Sequence, residues 1–290
     1  MKYLSALIAL LFLYSCNNNS LKNKVEQIVK DKKLTAGVSV IVGDEEFSYN
    51  AGEQFPLLSV FKFHQALTVL DALYTDGADA GIDTEIFVDS TDLHVNTHSP
   101  LRDERPEGNF LIPVGKLLHY SVSLSDNNAC DILFKHFGGT TKVNSYIKSL
   151  GIDDINIEAD EVEMHKTFEN QYKNWSTPSA TTKLLKKFVE TPVLIPEYQQ
   201  FLINTMLATT TGANKIKGML PENVQVGHKT GSSSRNEEGL KIAENDAGFI
   251  YLSNNRICYI TIFVKNSYET DEVNAQVIAE IAKAVYEHYK

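Results

Sequence analysis

The sequence predicts an α/β fold of the α+β kind: one antiparallel sheet built from N- and C-terminal segments and flanked by helices, plus an inserted all-helical lobe. Three observations predict it. Strand-like apolar runs cluster near the two ends of the chain, at 36–49 and 247–264. The long middle, from about Ser59 to Ala208, shows mostly helical periodicity and few convincing strands. Amphipathic helices open and close the mature chain, each suited to cover a sheet face.

Composition narrows the class. At 290 residues the chain suffices for one large domain or two tightly packed lobes. Hydrophobic residues at 43% and charged residues at 22% are ordinary for a soluble globular protein. A formal charge of -10, with no basic stripe, argues against a nucleic-acid partner.

The first residues are read apart from the fold. Lys2 gives a small positive start, Leu4 to Leu13 form an apolar run too short to span a bilayer, and Ser15-Cys16 precedes the polar Asn17-Asn18-Asn19-Ser20. That order is a signal peptide. A small residue before a cysteine resembles the lipobox of bacterial lipoproteins, so Cys16 is the expected lipidation site; a soluble secreted protein cut nearby is the alternative. The expected division is a leader at 1–16, a linker at 17–20 and a folded unit at 21–290. Within that unit, 21–57 and 213–290 form the α/β lobe around a helical lobe at 58–212. Of three cysteines, Cys130 and Cys258 remain, in apolar contexts typical of buried free thiols.

The elements follow in order. Leu21 to Lys33 reads as an amphipathic helix, with Val25, Ile28 and Val29 on one face. Ala36 to Val42 reads as a strand, and Gly43-Asp44 turns it into a second one near Phe47 to Tyr49. Helical patterns run over Phe63 to Leu73, Val114 to Val122 and Asn128 to Phe137, the last stopped by Gly138-Gly139. Val224 to His228 is a short β-like run. Ala247 to Ser253 and Ile257 to Val264 are strands joined by Asn254-Asn255, and Glu272 to Tyr289 closes the chain as a helix.

Three short motifs carry chemistry. Ser59-Val60-Phe61-Lys62 opens a helix, where residues three apart share a face, so the Lys62 amine can reach the Ser59 hydroxyl. Alone it says little: roughly one Ser-x-x-Lys is expected by chance in such a chain, and Ser145-Tyr-Ile-Lys148 is a second, read as a solvated helix face. Ser125-Asp126-Asn127 sits between two helices and would by itself be a helix cap. Lys229-Thr230-Gly231 follows the β-like run and precedes a Ser-rich turn; by itself it is an edge strand ending. Each tripeptide has a chance expectation of roughly one in ten or below, so the ordered set is hard to attribute to accident.

In that order the motifs resemble those of class A β-lactamases and penicillin-binding proteins, across nearly the whole mature chain. What separates the β-lactamase is a glutamate on an omega loop, in the pattern Glu-x-x-x-Asn, that activates the deacylating water. The matching segment is Glu161-Val162-Glu163-Met164-His165, with His165 in place of the Asn. This is similar to the class A subgroup that includes several extended-spectrum cephalosporinases. Glu158 and Glu163 compete with Glu161 for the role.

The resemblance implies that Ser59 attacks the lactam carbonyl, while Lys62, or Glu161 through a water, takes its proton. Backbone N–H groups of Ser59 and Ser232 would form the oxyanion hole. Ser125 would pass a proton to the lactam nitrogen. Asn127 would hold the substrate's side-chain amide and orient Lys62. Lys229, Thr230, Gly231 and Ser232 would receive the substrate carboxylate. Lys215 lies where the subgroup often has arginine, offering a point charge rather than a fork. Arg256 falls in a turn and is misplaced for that task.

His94 and His98 could chelate a metal only if helical, and Pro100 suggests loop; His228 reads as strand packing. His98 would line the cleft mouth. No cofactor or metal is implied. The expected partner is a β-lactam, and the expected setting is the bacterial periplasm, as a monomer with possible membrane attachment through Cys16. Rival readings are a D,D-peptidase or penicillin-binding protein, a β-lactam sensor domain, and a non-catalytic lipoprotein.

Overall fold

Strands from both ends of the chain meet in one five-stranded antiparallel sheet in the computed structural model, which describes residues 20–75 and 81–290. The leader at 1–16, Cys16 and linker residues 17–19 lie outside the described residues; Ser20 already belongs to the first helix.

Helix α1 (20–29) leads to β1 (Thr35–Val42), β2 (Glu45–Tyr49) and the short β3 (Phe55–Pro56). The helix stops four residues short of the predicted Lys33, where Asp31 takes a left-handed φ of 60°. The middle of the chain then supplies α2 (Phe61–Thr75), β4 (Glu85–Val88), α3 (Pro100–Glu104), β5 (Phe110–Pro113), α4 (Val114–Ser123), α5 (Asn127–Phe137) and α6 (Gly139–Ser149). After these come β6 (Ile155–Asn156), α7 (Glu161–Met164), β7 (Trp175–Ser176), α8 (Pro178–Glu190) and α9 (Pro196–Leu207). The chain returns to the sheet as β8 (Val226–Ser232), β9 (Lys241–Tyr251) and β10 (Ile257–Ser267), and ends in α10 (Asp271–Tyr289).

The strand order is β2-β1-β10-β9-β8, so β8 is an edge. Both faces of the sheet are covered, which explains why β10 reads as a continuous apolar run rather than an alternation. Cys258, Ile260, Ile262 and Val264 pack with Leu21, Val25, Val277 and Ile281 of α1 and α10. Tyr259 and Phe263 face the opposite core with Phe55, Phe63 and Phe188. Burying such side chains contributes about 1.5–3 kcal/mol each. Helix α8 lies on β1 and β10, where the buried Thr182 hydroxyl sits 2.8 Å from Thr261 Oγ1.

One strand is longer than predicted. β9 starts at Lys241, six residues before Ala247, because its first half is polar yet buried: Lys241, Glu244, Asn245 and Asp246 all point into side-chain networks. Cys130 and Cys258 are buried free thiols, as expected.

Candidate active site

Ser59 is held out of a buried run. From 55 to 70 every residue is buried except Ser59, which remains partly open. It sits in a 3-10 turn, Leu58–Val60, that feeds α2. The turn is braced from below by the Asn245 amide, which donates to Pro56 O at 2.7 Å and Leu57 O at 3.2 Å. Leu57 N donates to Asn174 O at 2.8 Å. Leu58 is forced to a left-handed φ of 45°, costly for a residue with a Cβ and sustained only where the surroundings over-determine it.

Lys62, the second residue of α2, is fully buried and meets three acceptors. Its Nζ lies 2.5 Å from Asn127 Oδ1, 2.8 Å from Ser125 O and 2.9 Å from Glu161 Oε1. Lys62 thus joins α2 to the Ser125–Asn127 segment and to α7. The competing Ser145–Lys148 pair lies on α6, where Lys148 is exposed.

In Ser125-Asp126-Asn127 the cap reading is realised by the middle residue alone. Asp126 caps α5 through Ala129 N at 2.8 Å and also accepts from Leu101 N and the Ser99 hydroxyl. Ser125 and Asn127, on either side of it, turn to the site. Ser125 has a φ of 59°. The Asn127 amide donates to Thr97 Oγ1 at 2.6 Å, a partner the sequence did not single out.

Among the three glutamates, geometry separates Glu161 from its rivals. Glu161 is 4% exposed and faces Lys62, Glu158 is exposed, and Glu163 pairs with Lys166 and Lys173. Glu161 starts α7, whose N-terminal amides are met by two carboxylates. Asp160 accepts from Glu163 N at 2.7 Å; Asp131 of α5 accepts from Glu161 N at 2.8 Å and Val162 N at 3.0 Å. Burial, and then the Glu161 charge, push the Asp131 carboxyl up to about 8. Asn174 fastens the loop by accepting from Glu158 N and Ala159 N. His165 Nδ1 lies 2.6 Å from Glu161 O. A cavity of about 280 Å³ opens here, lined by Asn127, Glu161, His165, Asp131, His94 and Thr97. His98 is in the loop before α3, its Nε2 2.9 Å from Leu124 O.

The facing bank is β8. Lys229 is fully buried and donates to Ser125 Oγ at 2.8 Å and Thr230 O at 2.9 Å, so it ties the two banks together. Burial, followed by the nearby Lys62 and Lys215 cations, holds its pKa well below the usual lysine range. Gly231 allows close approach: a Cβ there would meet Leu57 O at 2.5 Å and Ser59 N at 3.2 Å. Thr230 Oγ1 contacts Thr211 Oγ1 at 2.7 Å. Ser232 is exposed, yet its hydroxyl donates to Glu244 Oε2 at 2.8 Å. Lys215 is buried and also pairs with Glu244, so its charge is met within the chain rather than left open to the cleft. Glu244, Asn245 and Asp131 lie outside the predicted motifs; only the strand register could have indicated the first two. His228 is packed as expected, with Asp246 2.8 Å away. Arg256 bonds Tyr289 O, at the far end of the sheet. Among the described residues no cluster of His, Cys, Asp or Glu suits a metal ion.

A model of the Beta-lactamase enzyme family matches residues 20–289. A curated "Beta-lactamase" of Bacteroides uniformis is 45% identical over 290 residues, covering 97% of this chain and 97% of the relative. A solved class A β-lactamase from Bacteroides cellulosilyticus superposes with a TM-score of 0.90 at 47% identity, covering 94% of this chain and 98% of its own. The TLA-3 extended-spectrum β-lactamase gives 0.91 at 44% identity, covering 93% and 98%. With the motifs assembled at one cleft and these likenesses spanning nearly every described residue, the chain belongs to the class A β-lactamases, serine hydrolases of β-lactams.

Proposed function

We propose that Ser59 is the nucleophile and Glu161 the base that completes hydrolysis, on substrates that include cephalosporins. The observation that carries this reading is the position of Lys62, in contact with Glu161, Asn127 and Ser125 at once. Ser59 Oγ attacks the lactam carbonyl and its proton passes to Lys62, or to Glu161 through a water. The carbonyl oxygen, now negative, is met by the N–H groups of Ser59 and Ser232; the close approach at Gly231 supports their pairing. The C–N bond breaks as Ser125 donates its proton to the lactam nitrogen, and Lys229 stands 2.8 Å away to replenish it. Glu161 then takes a proton from water, which attacks the ester; the bond to Ser59 Oγ breaks and that oxygen regains the proton from Glu161 by way of Lys62.

His165, in place of the family's Asn, is proposed to orient Glu161 and the deacylating water, supported by its contact with Glu161 O. Cephalosporin turnover is supported by the likeness to TLA-3, described as an extended-spectrum enzyme. Lys229, Thr230 and Ser232 form the seat of the substrate carboxylate, with Lys215 behind them.

The Glu161→Gln protein should acylate but accumulate a covalent adduct on Ser59, visible by intact-mass spectrometry after mixing with a cephalosporin. Release of that adduct at the wild-type rate would show that another base operates. A D,D-peptidase would not need a buried carboxylate beside Lys62. The leader residues support export to the periplasm with Cys16 carrying a lipid, and the chain is proposed to act as a monomer. Native mass spectrometry of detergent-extracted protein reads both: one chain, heavier by its acyl groups, with the increment lost in Cys16→Ala. A dimer mass, or no increment, would refute the corresponding part.

A further inference from the structure

The seat assigned to the substrate carboxylate already holds a carboxylate. Glu244 of β9 lies directly opposite Ser232 in the β8–β9 register and is 4% exposed. Its Oε2 accepts the Ser232 hydroxyl at 2.8 Å and lies 2.9 Å from Lys241 Nζ, and its Oε1 pairs with Lys215 Nζ. Ser232 itself stands exposed at the end of β8, so its hydroxyl turns away from solvent to reach Glu244. Lys241 does not depend on this carboxylate alone, since it also donates to Ser233 O at 2.8 Å and lies 3.2 Å from Asp271 Oδ1.

A hydroxyl has one proton to donate. Ser232 can therefore serve Glu244 or an incoming anion, but not both. When it turns to a ligand, Glu244 retains two lysine partners, so the exchange strands no buried charge. An arriving carboxylate must draw that hydroxyl away and also approach the charge of Glu244, whereas a neutral ligand meets neither obstacle.

We propose that Glu244 is a built-in surrogate for the substrate carboxylate and a specificity-determining residue, competing with anionic β-lactams for the Ser232 hydroxyl. This rests on the assignment of Ser232 to the carboxylate seat. Glu244 touches no reacting atom. It sets how strongly the site favours ligands that carry a carboxylate over those that do not.

The test compares a chromogenic cephalosporin with its methyl ester on the purified protein, as the ratio of the two kcat/KM values. Glu244→Asp keeps the charge for both lysines but withdraws it by one methylene from Ser232; Glu244→Gln keeps the reach and removes the charge. Both should raise the acid-to-ester ratio about fivefold, the scale of one charge-assisted hydrogen bond partly replaced. In a Ser232→Ala background Glu244→Asp should no longer move it, and Glu244→Gln should move it less than in the wild type. A wild-type ratio near one would overturn the carboxylate seat and the surrogate together. A wild-type ratio well above one that Glu244→Asp leaves unchanged would overturn the surrogate alone, even if Glu244→Gln shifts it. Should Glu244→Gln not fold, Glu244→Asp decides, because both lysines keep their counter-charge.

Discussion

The two banks of the cleft each bury a lysine, and the two are furnished in opposite ways. Lys62, on α2, meets an amide oxygen, a backbone carbonyl and the Glu161 carboxylate. Lys229, on β8, meets a hydroxyl and a backbone carbonyl but no carboxylate, and burial, followed by the neighbouring cations, presses its pKa down. A buried ion costs several kcal/mol unless it is paired. One lysine therefore has a carboxylate partner within the chain, while the other has none and leaves that place to a ligand's carboxylate. On the proposed mechanism the helical bank supplies the nucleophile and the bases, while the edge strand binds the ligand and supports Ser125 and the oxyanion.

Three substitutions would break or sharpen that contrast. Lys62→Met should have the largest effect, lowering kcat/KM for a chromogenic cephalosporin about 10³-fold, within the range of a lost general base. The methyl ester of that substrate should suffer equally, since the loss is in chemistry; a fall of less than about tenfold would dissolve the division of labour. Lys229→Met should be smaller and selective, about 100-fold on the acid and under about tenfold on the ester. Equal losses on both would mean that Lys229 works mainly through Ser125.

The smallest effect concerns Asp131, behind Glu161 on the helical bank, and it is read in stability. Its carboxyl is raised to about 8 in the folded protein, against about 4 in an unfolded chain. The folded state thus holds this proton more tightly, so the contribution is full below about pH 4 and is lost as pH rises through about 8. Melting temperatures should fall more steeply with rising pH in the wild type than in Asp131→Asn. Parallel curves would show that Asp131 does not titrate in this window.

Much of the recognition bank was hidden from the sequence. The strands of the sheet centre were legible because Val38, Val40, Ile260 and Ile262 pack on one face and Ile41, Tyr259 and Phe263 on the other, all of them apolar or aromatic. The first half of β9 was not, since Lys241, Glu244, Asn245 and Asp246 look like a solvated turn until β8 and Lys215 are set beside them. The motif residues were found because their types are unusual in combination. Their supports were missed because Thr97, Asp131 and Asn245 are ordinary residues whose value lies in where long-range packing delivers them. Glu161 stood among three plausible glutamates in sequence, and burial beside Lys62 is what distinguishes it.

Gly231 has a mechanical meaning. Only a hydrogen atom separates the edge strand from the turn that carries Ser59, because a methyl group there would collide with Leu57 O. The width of the catalytic gap is therefore gauged by the absence of one carbon, and Asn245 anchors the same turn to the neighbouring strand. The spacing between Ser59 and the edge strand is thus a property of the sheet's assembly, fixed before any ligand arrives and adjustable without altering Ser59 itself.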